Sequence, residues 1–200
     1  MELFTAIETR RAVKHYSSSE AVSEADFKRI MKAVLLSPTS YNIQHWRFVR
    51  VIDPQIRAQI QDAAWGQAQV TEAAELIVLC ADPQAWLDDP QRYWANAGPE
   101  VQGLMLPMLE SFYRGKEQLQ RDEAMRSSGM AAQTMMLAAK GLGYDTCPMI
   151  GFDSERVAEI INLPSGHVIS MIITLGRAAK PANQRAGQLP LSEVLLENHF

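Results

Sequence analysis

"ELIVLCA", Glu75 to Ala81, organises the rest of the chain. After Glu75 it is continuously apolar and short, so it reads as a strand covered on both faces, the centre of a sheet. Moving outward, "HVISMIITLG" (167–176) is a second buried strand. "WRFVRVI" (46–52) sets Trp, Phe, Val and Ile against Arg47 and Arg50 in an imperfect alternation, as a strand with one buried face does. Helical patterns surround these strands. Leu3, Phe4 and Ile7 share one face of a short helix over 2–11. Ser23 caps the next helix, with Asp26 three positions on, and Phe27, Ile30, Met31, Val34 and Leu35 form its stripe until "SP" at 37–38 stops it. Asp53-Pro54 opens a helix running towards Trp65, and the polar "GQAQVTEA" follows.

Residues 84–120 read as helical but broken at Pro90, Pro99 and Pro107. "SSGMAAQTMMLAAK" (127–140) is apolar nearly all round, a helix buried on most sides. "GLGYDTCPMIGFD" is a turn-rich crossing, with Gly141 and Gly143 as helix C-cap glycines and Asp153 capping a short helix. From Arg177 the chain becomes an extended arm with Pro181 and Pro190, ending in "LSEVLLENHF". The pattern predicts one α+β domain over 1–200 with three strands. An arm carrying its own apolar residues, Leu191, Val194 and Leu195, has little use on a monomer, so a two-fold dimer is expected.

The composition excludes several classes. Hydrophobic content of 47% and charged content of 21% are those of a globular protein, and a net charge of -4 argues against nucleic acid. "MELFTAIETRRAVKHY" lacks the order of a signal peptide, and no uncharged apolar run approaches the roughly 20 residues of a membrane span. Cys80 and Cys147 show no CxxC spacing and read as buried thiols of a cytoplasmic protein. There is no HExxH or GxSxG, and His15, His45, His167 and His199 are scattered. "GLGYDT" follows a helix rather than a strand and lacks a third glycine, so it is not a dinucleotide fingerprint.

Three segments carry candidate chemistry, each with an ordinary alternative. In "RRAVKH", Arg10 and Lys14 share one face of a helix, close enough to clamp a phosphate; a solvated helix end would look the same. "SPTSYNIQHW" offers uncharged donors and acceptors, suited to a neutral heteroaromatic ring or a sugar alcohol, or it is a plain polar loop. In "CPMIGF", Pro148 precedes a flexible Gly151 that lets the backbone approach a flat ligand, or the segment is a simple turn.

The order of these segments, with a "GQ" before an apolar strand and "LG" before an Arg-bearing tail, resembles the flavin-dependent nitroreductase family over nearly the whole chain. The resemblance implies a mainly antiparallel sheet flanked by helices, and an intertwined homodimer with a C-terminal arm over 177–200. It implies one FMN at each end of the interface, with NAD(P)H as electron donor. By position, Arg10, Arg11, Ala12, Lys14 and Arg185 would hold the phosphate and ribityl chain. Pro38, Thr39, Ser40, Asn42 and Gln44 would come from the other subunit. Gln67 and Gln69 would reach the ribityl or pyrimidine edge. Pro148, Met149, Ile150 and Gly151 would line the ring, the Gly151 N–H near flavin N5. Departures from the pattern are Ile150, Gly66 and Asn183, where some relatives carry an acidic residue, Asn and a second tail cation.

The implied chemistry is ping-pong transfer of hydride through N5 to nitroaromatics, quinones or similar electron-poor acceptors, with no obligate protein base. Residues 84–120, with Trp86, Tyr93, Trp94, Phe112 and Tyr113, would be a variable lid. Two other readings are a specialised enoate or dehalogenating reductase of the same fold, and a flavin-binding module without turnover.

Overall fold

The computed structural model describes residues 1–200. Its elements run α1 (Leu3–Thr9), α2 (Glu24–Val34), β1 (Trp46–Arg50), α3 (Pro54–Ala63), α4 (Gln69–Glu72), β2 (Glu75–Ala81), α5 (Pro99–Tyr113), α6 (Glu117–Gly141), β3 (Asp145–Met149), α7 (Ser154–Ile160), β4 (Val168–Gly176) and α8 (Leu191–Val194). The strands form one antiparallel sheet in the order β1-β2-β4-β3. β2 is central and buried throughout, as its composition requires. Its alternate residues divide between two cores. Ile77 and Leu79 pack with Ile30, Val34 and Met135 of α2 and α6, while Leu76, Val78 and Cys80 pack with Ile60 and Val157 of α3 and α7. A strand with an apolar layer on each face has no room for polar alternation.

Local chemistry sets the helix starts. The Ser23 hydroxyl accepts from the Asp26 N–H at 3.0 Å, and the Asp53 and Asp153 carboxylates accept at the starts of α3 and α7. Glu75, at the mouth of the buried strand, accepts two 2.7 Å bonds from Arg50, whose guanidinium lies 4.0 Å over the Phe27 ring.

The structure corrects five expectations. A fourth strand, β3, lies within the supposed turn region; Pro148 is tolerated because β3 is a sheet edge. "GQAQVTEA" contains a one-turn helix, α4. The 127–140 helix is the second half of a 25-residue helix, α6. Pro107 lies inside α5 without ending it. Finally, "RRAVKH" is not helical. α1 stops at Thr9, Arg10 has φ -59 and ψ 131, and residues 10–16 run extended along β3, with Ala12 bridging Thr146 in parallel and Tyr16 bridging Ala178.

Tyr16 pins that segment. Its hydroxyl bonds Thr174 Oγ1 at 2.9 Å, and its ring lies so close to Gly176 that a Cβ there would meet it at 3.0 Å and the Ala74 nitrogen at 3.1 Å. A side chain there would force the Tyr16 ring and the Ala74 backbone to give by a few tenths of an ångström. Cys80 and Cys147 are buried free thiols, and no helix is long and apolar enough to cross a membrane.

His45 is fully buried, and neither ring nitrogen has a hydrogen-bond partner. Burial pushes its pKa down to about 4, against the opposing pull of Glu123 and Asp82. An unfolded chain takes up this proton near pH 6.5 and the folded one only near 4, so stability is full above pH 6.5 and lost as pH falls to 4. We predict a loss of roughly 3 kcal/mol from this group between those limits, read by urea unfolding at pH 7, 5.5 and 4. His45→Phe should flatten the profile; an equally steep one would refute the assignment.

Candidate functional site

The extended segment 10–14 places its side chains alternately, so Arg10 and Lys14 still fall on one side. Lys14 Nζ lies 3.4 Å from Cys147 Sγ. Arg11 donates to the carbonyls of Glu8 at 2.6 Å and Arg10 at 2.9 Å. From the arm, Arg185 donates to the carbonyls of Ile7, Glu8 and Arg10 at 3.3 to 3.5 Å. These cations contact carbonyls and a thiol, and none pairs with a carboxylate. Burial, then the charges of Arg185 and Arg11, lower the Arg10 pKa from its ordinary value. Such concentrated positive charge is relieved by an anion. A cleft of about 690 Å³ opens beside it, lined by Arg11, Lys140, Asp145, Asn183 and Arg185 among others.

The bridge from Ala12 to Thr146 leads directly to the end of β3 and to Pro148, Met149, Ile150 and Gly151. Met149 is buried and Ile150 is 80% exposed. The Gly151 carbonyl accepts from Gln67 Nε2 at 2.7 Å, and the Gln67 Oε1 accepts from Gln69 Nε2 at 2.9 Å. The Gly151 N–H donates to no backbone or side-chain group, which leaves it free for a ligand. Thus Arg10, Arg11, Ala12, Lys14 and Arg185 gather beside β3, and Gln67, Gln69, Pro148, Met149, Ile150 and Gly151 gather at its end, the two groups being linked through that strand. No imidazole or carboxylate is bonded to Gly151, Gln67 or Gln69.

Pro38, Thr39, Ser40, Asn42 and Gln44 lie elsewhere. Their loop leads into β1, whose Trp46 pairs with Ala81 and, through it, with Val168. Pro148 pairs with Ile173 on the opposite edge. Three strand spacings separate these edges, roughly 14 Å, and the register adds roughly 17 Å along the strands. The two groups therefore occupy diagonal corners of the sheet. Part of the loop's polarity is also consumed internally. Asn42 Nδ2 donates to the Tyr93 carbonyl at 2.7 Å, Thr39 Oγ1 accepts from the Gln44 N–H at 3.1 Å, and Ser40 Oγ accepts from the Tyr113 hydroxyl at 2.7 Å. Tyr41, Asn42 and Gln44 have φ of 50, 56 and 54, left-handed conformations that non-glycine residues seldom adopt. Tyr41 also packs against Phe112 and Tyr113, tying the loop to α5.

A residue missed by sequence reasoning is Trp65. It is 72% exposed, and a Cβ on Gly151 would sit 3.4 Å from its ring. The only local signal was a tryptophan just before a "GQ".

Comparison with known proteins agrees with this fold. The model of the Nitroreductase family matches residues 7–177. Protein DrgA of Synechocystis is 45% identical over 98% of this chain and 95% of its own length. An NADH dehydrogenase of Thermus thermophilus is 32% identical, covering 96% of this chain and 94% of its own. Among solved structures, a protein of Exiguobacterium sibiricum crystallised in complex with FMN superposes with a TM-score of 0.87 at 23% identity, over 98% of this chain and 96% of that one. Matched across most of its length by the family model and by relatives of this identity, the chain belongs to the nitroreductase family.

Proposed function

We propose that this chain is an FMN-dependent oxidoreductase that takes electrons from NAD(P)H and passes them to nitroaromatics, quinones or similar electron-poor acceptors. The observation that carries the proposal is a group of cations, none paired with a carboxylate, joined through one bridged segment to an unspent backbone N–H at Gly151. The residues fit FMN. Arg10, Arg11, Lys14 and Arg185 match a phosphate in charge, and Ala12 between them leaves space for the ribityl chain. Gln67 and Gln69 carry amides suited to a polar ring edge, while Pro148 to Gly151 present an uncharged surface to a flat ring. The names of two relatives, one an NADH dehydrogenase and one an FMN complex, support the same reading.

When bound, FMN supplies the capacity to accept and release hydride. The protein's part is to hold and polarise. The cations would anchor the phosphate, and their positive field would favour added electrons at the ring. The Gly151 N–H would be available to the ring as a donor, and the Gln67 bond to the Gly151 carbonyl keeps that peptide in place. With no side-chain acid or base bonded here, protons come from solvent, and donor and acceptor use the site in turn.

The site is completed by a second copy of the chain. The exposed area of 11759 Å² exceeds the roughly 9,400 Å² expected for a monomer of this mass. Much of the excess is apolar: Phe4 is 76% exposed, and Leu3, Ile7, Leu191, Val194 and Leu195 lie open with it. Dimerisation across this face would cover the arm and bring the 38–44 loop of one protomer to the cation cluster of the other. The two buried free thiols accord with a cytoplasmic setting.

Three outcomes are expected. Purified protein should show flavin absorption, or acquire it with added FMN, and bleach on anaerobic addition of NADPH or NADH, even when any single Asp, Glu or His is replaced; protein that takes up no FMN would refute the proposal. Arg10→Gln and Lys14→Gln should each weaken FMN binding about 10- to 100-fold in a fluorescence titration, with weaker binding at high salt. Phe4→Glu should shift the protein from dimer towards monomer in light scattering and lower FMN affinity; an unchanged dimer would place the interface elsewhere.

A further inference from the structure

The end of α3 contains a costly arrangement that packing alone does not require. The Gly66 N–H donates to the Gln61 carbonyl at 2.9 Å and the Trp65 N–H to the Asp62 carbonyl at 3.1 Å, the bonds of a Schellman helix stop. In that motif the left-handed residue is usually glycine. Here it is Trp65, with φ 55, followed by Gly66 at φ 74. The same motif ends α6, where Tyr144 N–H donates to the Ala139 carbonyl at 3.0 Å, and the left-handed position is held by Gly143. At the end of α3 a large aromatic residue therefore sits in a conformation that glycine adopts without penalty.

The strain gains little burial, because the side chain is 72% exposed. What it achieves is placement. The indole leans over the α-carbon of Gly151, where a Cβ would meet its ring at 3.4 Å, beside the Gln67 amide that bonds the Gly151 carbonyl. On its other side the indole lines a cleft of about 310 Å³ with Asp62, Asp153 and Arg156. A flat, polarisable face is thus held open to solvent at the one edge of the site where a free backbone N–H marks the reacting end. Backbone strain retained beside a site, without compensating packing, points to a ligand contact.

We infer that Trp65 is a specificity-determining residue: its indole forms a wall of the acceptor site and favours flat aromatic acceptors by stacking on them. This rests on the FMN reading above. The contact is worth up to about tenfold in affinity, the usual size of an aromatic pair. Trp65 is not needed to hold FMN, which is anchored by the cations and the Gln67–Gly151 pair.

The test uses FMN-saturated protein and Trp65→Gly, with Trp65→Phe as the conservative variant. Trp65→Gly should raise the melting temperature by about 2–4 °C, because glycine relieves the left-handed strain. It should raise KM for a flat quinone about tenfold while leaving kinetics with ferricyanide, a small non-aromatic acceptor, unchanged; Trp65→Phe should recover most of the quinone KM. A melting temperature that is not raised would make Trp65 a packing residue and overturn the inference. So would an unchanged quinone KM, or equal losses with both acceptors. If neither wild type nor variant takes up FMN, the flavin reading itself fails, a result distinct from all of these.

Discussion

The contact of Tyr16 with Gly176 is the constraint on which the site depends. The phenol reaches into the sheet, bonds the Thr174 hydroxyl and lies against a residue with no side chain. Burial raises its pKa, so it stays a neutral donor throughout the working range. Because this ring is fixed, the segment before it lies along β3, and Arg10 and Lys14 are delivered to one spot beside Cys147. Arg185 then adds its charge from the arm. Like charges gathered without counter-charges oppose folding slightly, and they make the spot attractive to a phosphate.

The sheet is the reason a second copy is proposed. Its edges carry two groups of polar residues, and the antiparallel register sets those groups at diagonal corners. A compact ligand cannot bridge them within a protomer. The exposed apolar residues of α1 and the arm are the face on which the proposed partner would pack. Left-handed non-glycine residues stand in the 41–44 loop and at Trp65, as well as at Asp89, Asn162 and Asn198, whereas β2 is extended and buried throughout.

Several elements were legible because their signals are local. The continuous apolar run of β2, the Ser23, Asp53 and Asp153 caps, and the stripe of α2 need only neighbours in sequence. Arg10 and Lys14 were expected on one face of a helix; the segment is extended instead, and residues four apart share a side in a helix and in a strand alike. β3 was missed because five residues containing a proline carry little strand preference; the free edge of β4 makes them a strand. Trp65 was missed because a left-handed helix stop is ordinarily marked by glycine, and the glycine here stands one position later.

Residue types and short periods thus specified an α+β architecture, buried thiols and a supply of cations and amides, because propensity, capping and amphipathicity act over a few residues. Contacts between distant segments belonged to the tertiary structure alone. It decided that Gln67 would bond Gly151, that Asn42 would bond Tyr93 and leave less of the loop for a ligand, and that the two groups of candidate residues would lie at opposite corners. The physical reason is that sheet register and close approach join residues far apart in the chain, and no local pattern records which of them will meet.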